Sequence, residues 1–378
     1  MLSRRALLTL WLTVCLDMVG FGIILPVLPF HAERYGASPV LIGWLAAAFS
    51  IAQLVAAPAL GRLGDRFGRR PVLLCSVAGS CASMLLLALA DGLALLFAAR
   101  LLAGLCGANV ATAQAYVVDR VEPSQRAAAL GQIGSAIGVG FVLGPTLGGL
   151  LVMPQCPSLP FWVAAGLSLG NWIFVLLWLP ESRRDAGEPR VTRPRSLPSR
   201  RTPVASLLLL NLAVFVAFAG MESTFALLLE ARLGWGALEA GLLFALIGVT
   251  IVLSQGLIVG RTVARIGEAK TLRLGLLTLG LSLAALGVAE HPLLLTMSAC
   301  AVALGNGLFA PALHALLSKR SDPDSQGTNL GLATSAASVG RVLGPAGAGF
   351  VFEVCGPGWP ALIGAAIVLA LACGDVRS

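Results

Sequence analysis

The chain has 378 residues, of which 57% are hydrophobic and only 12% charged, with a formal net charge of +8. A soluble domain carries about 25% charged residues, and the mean hydropathy here is +0.88. Composition therefore excludes a protein whose only solvent is water, and it is the distribution of the basic excess along the chain that argues against nucleic acid as its partner.

A membrane-crossing helix needs about 20 mostly apolar residues. Such runs occur at 7–30, 38–60, 71–90, 93–117, 127–152, 159–180, 204–229, 237–259, 271–289, 292–316, 328–353 and 357–375. The fold class expected is an all-α polytopic membrane protein of twelve spans. The first run follows Arg4 and Arg5 as a signal peptide would, but it is long, holds Asp17 and ends at Pro26 and Pro29. A retained helix is the expectation.

If the N-terminus is cytoplasmic, the segments on that side hold 22 of the 26 Lys and Arg, and Arg34 and Arg232 stand alone opposite. That asymmetry is the positive-inside rule, and it predicts both termini in the cytoplasm of a cell whose inner (plasma) membrane holds the chain. The basic balance is thus topology rather than a sign of a partner, and the partner expected of the spans is the lipid bilayer.

Between the sixth and seventh runs, 181–204 carries seven arginines together with Pro189, Pro194, Pro198 and Pro203. Like charge and proline disfavour packing, so it reads as a cytoplasmic linker between a six-helix bundle at 1–180 and another at 205–378. The two bundles are related in sequence. At an offset of 200, Gly107 meets Gly307, Arg120 meets Arg320, Pro123 meets Pro323, Gly140 meets Gly340, and the pair Gly144-Pro145 meets Gly344-Pro345. At an offset of 199, GRLGDRFGRR (61–70) returns as GRTVARIGEA (260–269). Two parallel repeats of six spans are a transporter architecture with its site near the midplane.

Four groups of residues carry the functional reading. The first, Gly61, Asp65, Gly68, Arg69 and Arg70 between spans two and three, reads as a tight cytoplasmic turn with a charge network, to which Asp119 at the end of span four can add. In span five, Gly140, Gly144 and Gly148 recur every four residues and present a small-residue face for close helix approach; Gly149 adjoins it, and Pro145 permits a bend. The third group comprises the charges deep in the spans: Asp17, Arg100, Glu222 and Arg341. Each ionised group placed in hydrocarbon costs at least about 2.5–3.5 kcal/mol, so they require a cavity or mutual pairing. Asp17 and Glu222 are the candidate proton carriers, and Arg100 and Arg341 candidate tuners of those acids or anchors for an anion. Asn109, Gln114, Gln255 and Asn306 are the polar residues best placed to line a central cavity. Static ion pairs and plain helix packing remain the competing readings of each group.

Residues 61–70 match the G-x-x-x-D-x-x-G-R-[RK] loop, and GVGFVLGPTLGG (138–149) resembles the antiporter motif, of the major facilitator superfamily. LDMVGFGIILPVLP (16–29) with DRFGRRPVLL (65–74), ARLLAG (99–104) and GMESTFALLLEARLGW (220–235) resemble the twelve-span drug–proton antiporters, notably the tetracycline exporters. The resemblance implies a monomeric exporter of a small lipophilic compound, driven by protons and working by alternating access. There are departures. Ala82 and Ser83 stand near the place of an acid in span three, 237–259 holds no His and 271–289 no acid, and GANVA (107–111) replaces GATGA. A facilitator or importer of a small metabolite such as a sugar or organic anion is the alternative, and a receptor or scaffold without transport the alternative of another class. No cofactor, metal site or enzyme activity is expected. The eight cysteines are scattered without a CxxC or a His cluster, and no nucleophile–base pair occurs.

Overall fold

The computed structural model describes residues 4–122, 125–181, 203–321 and 325–374. Within them every named element is a helix. Hydrocarbon offers no partner for backbone N–H and C=O, so each span must satisfy its own, and only a helix does so within one segment.

In chain order the helices are α1 (Arg4–Glu33), α2 (Pro39–Phe67), α3 (Arg69–Ala88), α4 (Leu93–Leu105), α5 (Asn109–Arg120), α6 (Arg126–Leu150), α7 (Leu159–Trp178), α8 (Pro203–Leu233), α9 (Ala237–Leu253), α10 (Val259–Ile266), α11 (Glu268–Val288), α12 (Pro292–Lys319), α13 (Gln326–Cys355) and α14 (Trp359–Cys373). They make twelve segments, because α4 and α5 share one span and α9 and α10 share another, joined by a π-helical turn at Ser254–Ile258. Ten segments are long and apolar enough to cross a membrane. Of the other two, α14 is a shorter apolar helix of 15 residues. The 30-residue α13 carries Thr328, Asn329, Thr334, Ser335, Ser338 and Arg341.

Two expectations from the sequence change. Span four is not one helix but breaks at 106–108. The turn between spans two and three is also far shorter than 61–70. Gly61, Gly64 and Asp65 are helical within α2, and Gly68 alone (φ 98°) reverses the chain into α3. An L side chain rarely adopts that φ. The repeat keeps the same device, with Gly267 at φ 81° between α10 and α11.

The described residues fall into two compact units. The first contains α1, α3 to α7 and most of α2, and takes in Gly236–Ala245 from the start of α9. There α1 packs along α6, and α3 packs on α7 and α4. The second contains α8, α10 to α14 and the rest of α9, and takes in Ser38–Ala47. In it α8 packs along α13, and α11 packs on α14 and α12. The two pairing schemes are the same, offset by one repeat. Most of the linker expected at 181–204 lies outside the described residues; Glu181 does not.

Candidate functional site

The break in span four is where the first unit is most specialised. The amide of Cys106 closes the last turn of α4 on Leu102, and α5 opens with Thr112 donating to the carbonyl of Ala108. Between them, the Gly107 carbonyl would accept from residue 111 in a continuous helix. Instead it accepts from Gln53 Nε2 of α2 at 2.7 Å, as a carbonyl buried in lipid must find a partner. Neighbouring helices crowd the break. A Cβ at Gly79 of α3 would collide with the Cys106 side chain, and one at Gly104 with the Phe49 carbonyl.

The first residue of α5, Asn109, is 2% exposed. Its Nδ2 donates to Asp17 Oδ1 of α1 at 2.5 Å and lies 3.3 Å from Ser80 Oγ of α3. Ser80 Oγ itself donates to the same carboxylate oxygen at 3.4 Å. Asp17 is therefore held by two neutral groups, and among the described residues it makes no ion pair. Asn109 Oδ1 is buried without a partner among the described residues. The sequence suggested Asn109 as a cavity residue, and the structure puts it on the acid instead. Arg100 of α4, 5% exposed, lies over the Phe49 ring at 4.6 Å. Phe49 meets Phe21 at 5.8 Å, and Phe21 meets Phe141 at 6.0 Å. The cation thus sits at the end of an aromatic row that runs past α1 one turn beyond Asp17.

The glycines of α6 place α1. An added Cβ at Gly144 would come within 2.6 Å of the Val19 carbonyl oxygen and 2.8 Å of Gly22 Cα; at Gly148 it would come within 2.7 Å of the Ile23 carbonyl oxygen. At Gly140 it would strike Met18, next to Asp17. Gly149 faces elsewhere, onto Ala237 and Leu238, and Pro145 lies against Gly22 and Gly241.

At the other end of this unit, Arg69 Nη2 pairs with Asp65 at 2.5 Å and its Nε with Asp119 of α5 at 3.0 Å. Arg70 Nη2 donates to the Leu176 carbonyl at 2.6 Å. The α3 N-terminus points its amides at Glu181, whose Oε1 accepts from Arg69 N at 3.1 Å, as a carboxylate at a helix start should. Arg120 donates to the Glu181 carbonyl, and Tyr116 Oη to that of Pro180 at 2.7 Å. Gln114 is exposed on α5.

In the second unit Glu222 lies on α8, partly buried, between Gly220 and Thr224. Arg341 of α13 is stacked 5.4 Å over Phe215 of α8, two turns before Glu222 on that helix. No hydrogen bond or ion pair between Arg341 and Glu222 is seen among the described residues. The packing repeats that of the first unit: a Cβ at Gly344 would meet the Val216 carbonyl oxygen at 2.5 Å. Gln255 is exposed in the π-helical turn. Asn306 of α12 is half-buried, with Oδ1 unpartnered among the described residues. Lys319 pairs with Glu268 at 2.5 Å.

Ser80 escaped the sequence reading, and so did the roles of two residues it places otherwise: Gln53, read as a cavity residue, and Glu181, read as part of the linker. The pair Glu268–Lys319 was within its reach. The offsets that align the repeats set Glu268 on Arg69 and Lys319 on Asp119, so the same cross-helix ion pair recurs with its charges exchanged.

The chain is similar to known proteins over nearly its whole length. The model of the Major Facilitator Superfamily matches residues 10–255 and 207–374. The class C tetracycline resistance protein of Escherichia coli is 31% identical over 98% of this chain and 96% of its own length. The Homo sapiens major facilitator superfamily domain-containing protein 10 is 28% identical over 94% of this chain and 89% of its own. The crystal structure of the human organic anion transporter MFSD10 superposes with a TM-score of 0.74 at 25% identity, covering 98% of both chains. That of the nucleoside transporter NupG does so at 0.81 with 14% identity, over 97% of this chain and 98% of that one, a likeness of fold alone. The chain is a multi-pass membrane transporter belonging to the Major Facilitator Superfamily.

Proposed function

We propose that this transporter is a proton-coupled antiporter that exports a small lipophilic compound by alternating access, with Asp17 and Glu222 carrying the protons. The observation that carries the reading is the setting of Asp17. A carboxyl among apolar helices, held by Asn109 and Ser80 rather than by a cation, can lose and regain a proton without breaking an ion pair. A static structural acid would be paired instead. The aromatic row of Phe141, Phe21 and Phe49 ending in Arg100 offers flat apolar surface to a planar organic molecule. The tetracycline resistance relatives suit that chemistry.

In this reading both termini face the cytoplasm of the inner membrane, and the chain works as a monomer. The Arg69–Asp119 and Lys319–Glu268 pairs lie at the cytoplasmic ends of their spans, where they would close and open with transport. Proton binding to Asp17 or Glu222 from outside favours release of the compound, and deprotonation inside resets the site.

The test is compound-driven proton flux in proteoliposomes, with tetracycline and a panel of lipophilic cations and anions. Asp17→Asn or Glu222→Gln should abolish it, and full coupling retained in both variants sinks the assignment. A second reading, transport of an organic anion, is favoured by the likeness to the human organic anion transporter MFSD10 and by the cations Arg100 and Arg341, each stacked on a phenylalanine ring. It predicts that anions alone compete, and that Arg100→Ala raises KM for them.

A further inference from the structure

The polar contacts of Asp17 do not balance, and the imbalance has a direction. Asn109 offers the carboxylate a donor through Nδ2, yet its own acceptor, Oδ1, is buried without a partner among the described residues. Leaving such an acceptor bare costs free energy, and native structures rarely do so without a reason. A planar amide exchanges donor for acceptor by turning about its last side-chain bond. With Asp17 ionised, Nδ2 is the matching face. With Asp17 protonated, its O–H needs an acceptor, and Oδ1, turned over, is the matching face. Nδ2 then swings away from the acid.

Position gives that turn a consequence. Asn109 opens α5 at the break in span four, where the Gly107 carbonyl is held by Gln53 rather than by the helix. A change at Asn109 acts where the span's own helical hydrogen bonds are interrupted. Among the described residues no other carboxylate competes for the role. On the elements packed against α1, α7 carries no charged residue. Arg126 lies in the first turn of α6. Asp119 and Arg120 end α5, about 15 Å along the helix from Asn109. Arg69 and Arg70 open α3. Arg100 is engaged over Phe49. On α1 itself Arg5 and, at the far end, His31 and Glu33 lie three turns or more from Asp17. The remaining titratable groups are the thiols of Cys15, Cys75 and Cys81 and the Tyr116 phenol, and Cys81 and Tyr116 are directed to the Ala165 and Pro180 carbonyls.

We infer that Asn109 is a positioning residue that reads the protonation state of Asp17 through its side-chain amide and passes it to the break between α4 and α5. The inference rests on the proposed role of Asp17 as proton carrier. Removing the amide deletes a charge-assisted hydrogen bond to the ionised acid. The proton is then held to higher pH, by about one to two pH units for a bond of that kind.

The experiment uses the full chain, purified and reconstituted. Infrared difference spectra against pH follow the carboxylic C=O band that disappears in Asp17→Asn. That band titrates Asp17 whether or not transport survives. Asn109→Ala should move the midpoint of the band, and of the transport rate, to higher pH by about one to two units. Asn109→Ser, which can both donate and accept, should recover most of the shift and guards against a folding defect in the alanine variant. A midpoint within a few tenths of a pH unit of wild type in both variants overturns the inference. If Asp17→Asn leaves coupling and the infrared titration unaltered, the proton-carrier reading itself has failed. That result is distinct from a normal Asp17 titration that ignores Asn109.

Discussion

Gly144→Ala is the sharpest test of how the small-residue face of α6 serves the site. The new Cβ would lie 2.6 Å from the Val19 carbonyl oxygen and 2.8 Å from Gly22 Cα. Both are backbone atoms, so no side chain can swing aside, and α1 and α6 must separate by about 0.8 Å to reach ordinary contact. Overpacking of this kind costs about 1–3 kcal/mol, offset by up to about 1 kcal/mol because alanine is the better helix former. With rigid neighbours the net cost is about 2 kcal/mol, or about 4–8 °C in the unfolding midpoint of a unit this size. Asp17 lies two residues before Val19 on the displaced helix. Its 2.5 Å bond to Asn109 would stretch past the range where such bonds are strong, and transport should fall at least tenfold. The control is Gly131→Ala on the same helix, where a Cβ meets nothing within 4 Å. Thermal unfolding of the two purified variants, followed by compound-driven flux in proteoliposomes, compares them directly. Equal stability and equal flux would refute the reasoning that close approach at Gly144 sets the position of Asp17.

The same geometry makes further predictions. Gln53→Leu strands the Gly107 carbonyl at the break and should cost about 1–3 kcal/mol, read as a lower unfolding midpoint; Gln114→Leu, exposed on α5, should not. Asp119→Ala should slow transport more than Glu268→Ala. Arg69, 16% exposed, loses a partner in the first case, whereas in the second the partner is a Lys319 that is 63% exposed, and exposed pairs are worth about 0–1 kcal/mol. The exchange Glu268→Lys with Lys319→Glu should restore whatever either single change removes, measured as flux in a double-mutant cycle. Gly68→Ala should destabilise more than Gly267→Ala. Both strain a left-handed turn, but at Gly68 the added methyl also meets the Glu181 carboxylate that caps α3, while at Gly267 nothing lies within 4 Å.

How much of this was legible in the sequence depends on the range of the interaction. Apolar runs of about 20 residues are local, and they foretold the twelve segments, whereas the pairings of α1 with α6 and α8 with α13 came only from the structure. The four-residue glycine spacing revealed the packing face of α6 because helical geometry fixes which residues share a side. The partners of Asp17 were hidden. Ser80 and Asn109 are 63 and 92 residues away, and nothing in their own neighbourhoods marks them as ligands of an acid. The break in span four was hidden for a related reason. Gly107 has an identical counterpart in Gly307, yet α12 runs unbroken through it. What differs is the surroundings, with Gln53 supplying a donor to the Gly107 carbonyl and Ser254 of the π-helical turn pressed against Gly307.

That contrast bears on how a duplicated scaffold acquires one direction of work. The repeat keeps what packing demands: glycines where helices touch, a left-handed glycine at Gly68 and Gly267, and a cross-helix ion pair at matching positions. It does not keep the polar irregularities. The first unit interrupts span four beside Asp17 with an amide and a hydroxyl on the acid. The second interrupts span eight with a π-helical turn and has Glu222 two turns along α8 from Phe215, over which Arg341 is stacked. The two acids sit in different settings, with neutral donors on one and a stacked arginine on the helix packed beside the other, and such settings separate the protonation of two carboxyls. If both carry protons, they do so in sequence rather than together. Glu222→Gln and Asp17→Asn should therefore change different limbs of the pH–flux profile, and two variants with identical residual profiles would return both acids to a single shared step.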